Sequence, residues 1–226
     1  MPSSRDPRPF DVATPGGRLR AYWDFLWQDH AVLRLAFRNA HWVADDLARS
    51  NQPWPHQLAD WKRRGIRTVI SLRGGTEGSH HVIERAACEA LGLRLVTFRL
   101  GSREAPSAGQ VRAAKALFET IAYPAVIHCK SGSDRTGLMG TLYLHLRKGL
   151  PIRQARRQLG LRFGHLAHGE TGLLDYVFER YLAEGEPAGQ TFLQWTQSPA
   201  YDPVALKAAY RTKGPARWIE RLLSRE

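Results

Sequence analysis

Apolar positions along the chain switch between two spacings, and the switches lay out alternating helices and strands. Between Arg18 and Arg38, Tyr22, Trp23, Leu26, Trp27, Leu33 and Phe37 recur at mostly helical spacing. His30 interrupts the centre, so the pattern predicts a helix or a broken helix. Residues 39–44 and 48–50 read as the short strands of a hairpin. Pro53, Trp54 and Pro55 open a helix that runs to about Arg64, where Gly65 ends it. Arg67 to Leu72 is a strand rich in β-branched side chains, and Gly74 and Gly75 break the chain after it. A helix from His80 to Leu91 stops at Gly92. A strand over 93–100, a loop over 101–106 and a helix over 107–121 come next. The short apolar strand Ala125–His128 follows, then helices near 135–148, 151–159 and 170–183. Past Glu184 one more amphipathic helix sets Trp218, Ile219, Leu222 and Leu223 on one side.

Strands alternating with helices predict an α/β fold: one domain whose central, mostly parallel sheet of four to five strands is covered on both faces. The domain is expected over 39–183, with a helical N-terminal extension over 1–38 and a basic helical C-terminal tail over 184–226. Ligands in such folds bind beyond the carboxyl ends of the strands, and His128 and Cys129 stand at that end of a central candidate strand.

Charge sharpens the picture. Lys and Arg outnumber Asp and Glu by 33 to 21, a net charge of +12 that favours anionic partners. No nucleic-acid recognition motif accompanies the charge, so phosphorylated substrates and acidic membrane surfaces are the better-fitting partners. The chain has only two cysteines, Cys88 and Cys129, which excludes a disulfide framework and fits a reducing cytoplasm. No spacing reads as a metal site, and no cofactor motif is present. The N-terminus lacks the apolar core of a signal peptide, and no apolar run approaches the roughly 18 residues that span a bilayer.

The chemistry concentrates where the strand Ala125–His128 enters a short loop that opens a helix: His128, Cys129, Lys130, Ser131, Gly132, Ser133, Asp134, Arg135, Thr136 and Gly137. A loop wrapped before a helix N-terminus points backbone N–H groups inward and makes a nest for an anion. Gly132 lets the backbone turn there. The same dipoles stabilise a thiolate at Cys129, a good nucleophile toward phosphorus. Arg135 can fork two phosphate oxygens and follow the charge into the transition state. Thr136 can place a hydroxyl near the sulfur. Cys88 and Arg94 have the same spacing as Cys129 and Arg135, but Cys88 sits in a helical pattern and Arg94 enters a strand, so no nest forms there. Cys88 is expected to be a buried structural thiol.

The segment His128–Gly137 resembles the His-Cys-x2-Gly-x2-Arg-Ser/Thr-Gly signature of the protein tyrosine and dual-specificity phosphatase superfamily. The resemblance extends upstream: residues 48–53 and 65–73 look like the opening strands of bacterial and fungal dual-specificity-like members. It covers about residues 39–183. It implies a dual-specificity-phosphatase-like fold and a phosphoric monoester hydrolase working through a phosphocysteine intermediate. It also implies Cys129 as nucleophile, phosphate binding by the amides of residues 130–135 and by Arg135, and a supporting role for Thr136. A rhodanese-like sulfurtransferase and a non-catalytic phosphate-binding adaptor are the competing readings.

The chain departs from the family at the general acid. Members commonly carry an Asp on a loop upstream of the cysteine, yet no Asp occurs between Asp60 and Asp134, and the 101–106 loop offers only Glu104. Asp134, directly before Arg135, is the first candidate, an arrangement similar to that of myotubularin-like lipid phosphatases and some secreted bacterial phosphatases. Glu104 is the alternative. Lys130 adds positive charge beside the cysteine, which hints at a polyanionic substrate such as a phosphoinositide. A phosphoprotein or a phosphorylated metabolite remains equally open. The basic tail, with Arg211, Lys213, Arg217, Arg221 and Arg225, and the Trp-rich N-terminal helix suit a peripheral contact with an anionic membrane. They suit a soluble enzyme with helices packed on its core equally well. His165, His168, Arg73 and Arg103 are lesser candidates for substrate contact.

Overall fold

The structure is a computed structural model and describes residues 10–213. Thr14 accepts from the amide of Gly17 and starts α1 (Pro15–Trp27), which ends before His30. His30 has a positive φ of 55°, so the helix cannot continue through it. A single turn, α2 (Leu33–Ala36), follows, and the N-terminal segment is the broken helix that its interrupted pattern predicts.

The hairpin strands β1 (His41–Ala44) and β2 (Leu47–Ser50) pair antiparallel. Helix α3 (Pro55–Arg63) has proline in its first turn, and Gly65, at φ 86°, turns the chain into β3 (Thr68–Ser71). Helix α4 (Ser79–Leu91) ends on Gly92 in the left-handed conformation, and β4 (Arg94–Thr97) follows. Ser107 and Gln110 form a capping box for α5 (Ala108–Thr120). The central strand is β5 (Ala125–His128), which leads through the Cys129 loop into α6 (Asp134–Leu146).

The remaining helices depart from the pattern-based expectation in detail. The segment near 151–159 is a short α7 (Ile152–Ala155) continued by a 3-10 turn over Arg156–Gln158. The 170–183 segment begins as a 3-10 turn, proceeds as α8 (Leu173–Arg180) and widens into a π turn over Tyr181–Gly185. Beyond it lie two further helices, α9 (Phe192–Gln197) and α10 (Pro203–Lys213). The amphipathic helix expected around Trp218, Ile219, Leu222 and Leu223 lies outside the described residues.

The five strands form one sheet in the order β1-β2-β5-β3-β4, parallel except for the β1–β2 hairpin. Every residue of β2, β3 and β5 is buried, as strands covered on both faces must be. One core layer joins Ile70, Ile127, Leu142, Tyr143 and Phe178, and it reaches Phe192, Trp195, Tyr201 and Leu206 beyond residue 183. A second lies under α3 and α4 around Leu58, Val69, Cys88 and Val126. A third, smaller cluster pins α1: Ala21 and Phe25 pack with Ala31, Trp54 and Ile83. Burying a side chain such as Phe25 contributes about 1.5–3 kcal/mol toward holding the extension on the domain. Among the described residues no helix is long and apolar enough to cross a membrane.

Candidate active site

Strand β5 has a neighbour on each side, so its carboxyl end lies in the middle of the sheet edge. There the chain leaves the sheet at His128 and wraps through 129–133 before α6 begins. The wrap is held from outside by its carbonyls. Lys130 O accepts from the amide of Gln52 (3.3 Å), and Ser131 O accepts from Asn39 Nδ2 (3.1 Å). Gly132 O and Ser133 O accept from one guanidinium nitrogen of Arg49 (2.7 and 3.2 Å), and Ser133 O also takes the amide of Gly137 (2.7 Å). With four successive carbonyls turned outward, the loop is poised to present its amides inward, the arrangement an anion nest requires. Gly132 is obligatory twice over. Its φ is 77°, and a Cβ there would stand 2.7 Å from the amide nitrogen of Asn51 and 2.8 Å from Ser50 O.

Cys129 is buried at the centre of this wrap, and its Sγ accepts from the amide of Gly132 at 3.2 Å. Burial alone would raise the thiol pKa. The Arg135 charge, the Thr136 hydroxyl and the amides of Gly132 and Thr136 outweigh it, and the pKa falls below the ordinary cysteine value. Thr136 Oγ1 is buried with no other hydrogen-bond partner, and Arg135 Nε is likewise buried and unpartnered. Cys88 has the opposite environment: it is buried between α4 and the sheet, and burial pushes its thiol up to about 12. The two cysteines share a spacing to arginine and differ entirely in chemistry.

The other residues singled out in the sequence are distributed unevenly. Ser131 Oγ and Ser133 Oγ are 2.9 Å apart on the rim of the loop. Lys130 Nζ is 3.4 Å from Asp29 Oδ1, a carboxylate brought in by the N-terminal segment, so its charge is compensated. Arg73 also turns to Asp29 (2.6 Å) and to Gln52 Oε1 (3.1 Å). Burial would raise the Asp29 carboxyl, but Arg73, Arg34 and Lys130 bring it down to about 2. Arg103 pairs with Glu170 at 2.8 Å, and Glu104 is exposed with its carboxylate folded back over Gly101. His168 is exposed. The described residues contain no group of His, Cys, Asp and Glu that could hold a metal ion.

Several supporting residues had no role assigned from sequence. Arg49 is fully buried beneath the loop, with its second nitrogen on Gln158 O and Oε1 (both 2.8 Å) and its guanidinium 3.8 Å from the Phe163 ring centroid. Burial pulls its pKa down to about 10, against the pull of Cys129 and Asp134. Asn39 ties Ser131 O to Phe163 O. Glu84, fully buried, stands 2.7 Å from His128 Nε2 and accepts from Gln52 Nε2 (3.0 Å).

His165 is buried between two carboxylates, with Nδ1 2.7 Å from Asp134 Oδ1 and Nε2 2.6 Å from Asp175 Oδ2. Burial would lower its pKa, but the hydrogen bonds to Asp134 and Asp175 raise it to about 9. A folded pKa above the unfolded value means that the cation stabilises the fold fully below about pH 6.5. That stabilisation is expected to fade as pH rises through 9. Urea midpoints of the wild type should therefore fall between pH 6.5 and 9, and His165→Gln should flatten that slope. An unchanged slope in the variant would remove His165 as its source.

Comparison with known proteins agrees with this geometry. A family model described as "DSP-PTPase phosphatase fused to NAD+ Kinase" matches residues 46–167, more than half of the chain. No curated protein matches the chain in sequence. Among solved structures, TpbA of P. aeruginosa is similar at 18% identity over 76% of this chain and 90% of its own, with a TM-score of 0.51. Tk-PTP in its active form is similar at 22% identity over 63% of this chain and 97% of its own, with a TM-score of 0.51. A putative phosphatase from Shewanella putrefaciens is similar at 16% identity over 68% of this chain and 97% of its own, with a TM-score of 0.50. At these identities the structural likeness speaks for the fold. The matched segment holds β2 to β5 and the whole Cys129 loop, and by it the chain belongs to the DSP-PTPase phosphatase family.

Proposed function

We propose that this phosphatase hydrolyses phosphate monoesters through a phosphocysteine intermediate. The observation that carries the reading is the buried sulfur of Cys129, held by the Gly132 amide and lowered in pKa by Arg135 and Thr136. Substrate phosphate sits in the nest of amides from residues 130–135, with the Arg135 fork on two of its oxygens. The Cys129 thiolate attacks phosphorus, the S–P bond forms and the P–O bond to the leaving group breaks. Arg135 and the loop amides stabilise the added equatorial charge. The leaving oxygen takes a proton from Asp134, or from Glu104 if the 101–106 loop moves it inward. Water then attacks the phosphocysteine. Inorganic phosphate leaves, and the Thr136 hydroxyl assists departure of the thiolate.

The test is phosphate release from a panel of phosphopeptides, phosphoinositides and inositol phosphates, with Asp134→Asn beside the wild type. The wild type should turn over at least one class. Asp134→Asn should lose about 10²-fold on esters with poor leaving groups and far less on nitrophenyl phosphate, whose leaving group needs no proton. Silence across the panel would contradict phosphatase activity. Equal losses on both kinds of ester would remove Asp134 from the acid role.

A further inference from the structure

Of the ten most exposed large apolar side chains among the described residues, seven fall between residues 19 and 42. In α1, Leu19, Trp23 and Trp27 recur every four residues on the side of the helix opposite the buried Ala21 and Phe25. They are 73%, 64% and 49% exposed, and the two indole rings touch at 5.9 Å. Phe37, just past α2, is 61% exposed. Leaving two tryptophans and a phenylalanine in water is unfavourable for a protein that does not use them.

The position of this face gives it a purpose. Trp27 stands two residues before Asp29, whose carboxylate meets Lys130. Phe37 stands two residues before Asn39, whose amide holds Ser131 O, and its own carbonyl accepts from Asn51 Nδ2. On another side, Leu166, 60% exposed, directly follows His165, which holds Asp134. Exposed apolar side chains thus neighbour, along the chain, three residues that grip the Cys129 loop at positions 130, 131 and 134. Between α1 and residues 73–80 a cleft of about 610 Å³ has an amphipathic lining, with Asp29 and Arg73 as well as Trp23 and Phe10.

Charge selects the occupant. The carboxylates of this segment are engaged: Asp24 accepts from Ser79 Oγ (2.6 Å), and Asp29 is neutralised by Arg34, Arg73 and Lys130. Exposed Arg18 directly precedes Leu19 at the start of the α1 stripe. The chain carries +12, so a second copy would bring like charge against like charge. Tryptophan on an exposed helix face, arginine at its margin and a strongly cationic molecule match the interface of an anionic bilayer.

We propose that the exposed face carrying Trp23, Trp27 and Phe37 seats the enzyme on an anionic phospholipid bilayer, where the Cys129 loop meets a phosphorylated lipid headgroup. The substrate half rests on the phosphatase reading above; the docking half does not. The experiment sediments the full chain with vesicles of phosphatidylcholine alone and of phosphatidylcholine with phosphatidylglycerol. The wild type should pellet with the anionic vesicles, and the triple variant Trp23→Ser/Trp27→Ser/Phe37→Ser should bind them at least about tenfold more weakly. Activity is then read on a phosphatidylinositol phosphate in vesicles, on its soluble short-chain analogue and on nitrophenyl phosphate. The triple variant should lose about tenfold on the vesicle substrate and keep the rates on both soluble esters. A wild type left in the supernatant, or a variant that pellets equally well, would overturn the docking surface. A variant that changes oligomeric state on size exclusion would assign the face to self-association instead. If vesicles bind and no ester of any kind is turned over, docking stands and the phosphatase reading fails. If vesicles bind and only soluble esters are turned over, the lipid substrate is withdrawn.

Discussion

Cys129→Ser should reduce phosphate release by about 10⁴-fold or more while leaving the anion site intact. A serine hydroxyl fits where the thiol sits, but the field that lowers the Cys129 pKa is far too weak to ionise an alcohol. The amide of Gly132 and the Arg135 charge are still in place, so the variant should bind tungstate or phosphate within a few-fold of wild type, as isothermal titration would read. Cys88→Ser supplies the control. Its thiol is held un-ionised by burial and lies between α4 and the sheet, so that change should lower stability and leave turnover per folded molecule unaltered. Substantial activity in Cys129→Ser, or loss in Cys88→Ser without unfolding, would contradict the assignment of the two thiols.

The second large effect is expected at Arg49, which touches no substrate. Arg49→Met removes the donors for Gln158 O, Gly132 O and Ser133 O in a fully buried position. Gln158 O and Gly132 O are left without that partner, while Ser133 O keeps the amide of Gly137. Each unpaired carbonyl costs about 1–3 kcal/mol, and the total destabilisation should reach about 3–5 kcal/mol. Urea unfolding should show the shift. The molecules that remain folded should be slow as well, because the Gly132 carbonyl is released and the Ser133 carbonyl loses one of its two donors. Arg49→Lys should recover little, since an ammonium cannot span the loop and the Gln158 segment as a fork does. A wild-type urea midpoint and rate in Arg49→Met would show that the loop holds itself.

The contrast between these two residues explains how much of the molecule its sequence discloses. The Cys129 loop is legible because its determinants are contiguous: the apolar strand β5, the glycine at 132 and the start of α6 lie within a few residues of one another. The parallel sheet is legible for the same reason, since each strand and helix carries its own period. Arg49 bonds to a carbonyl 83 positions away, and Asn39 to one 124 away, and no local pattern encodes either partner. The one signal for Arg49 is a charge within a strand whose four residues are all buried, visible only once that strand is placed at the centre of the sheet. Asp29 sits just past the interrupted helix and gives no hint that it will reach Lys130. The strand expected over 93–100 shortens to β4 because it lies at the sheet edge. Its apolar pattern continues through Phe98 and Leu100, and their amides still meet β3 and its end, but the last contact stretches to 3.4 Å and the ladder ends. The His165 pairing needed α8 to supply Asp175, a contact that brings two acidic residues onto one imidazole and that spacing along the chain does not announce.

The proposed catalysis turns on a covalent bond between phosphorus and one sulfur. Rapid chemical quench during turnover, followed by intact-mass and peptide mass spectrometry, reads that bond directly. Wild-type enzyme quenched in the first turnover should gain the mass of one phosphoryl group, located on the peptide containing Cys129 and absent from Cys129→Ser. Steady phosphate release with no such species, or a phosphoryl group on His128 or another side chain, would contradict it.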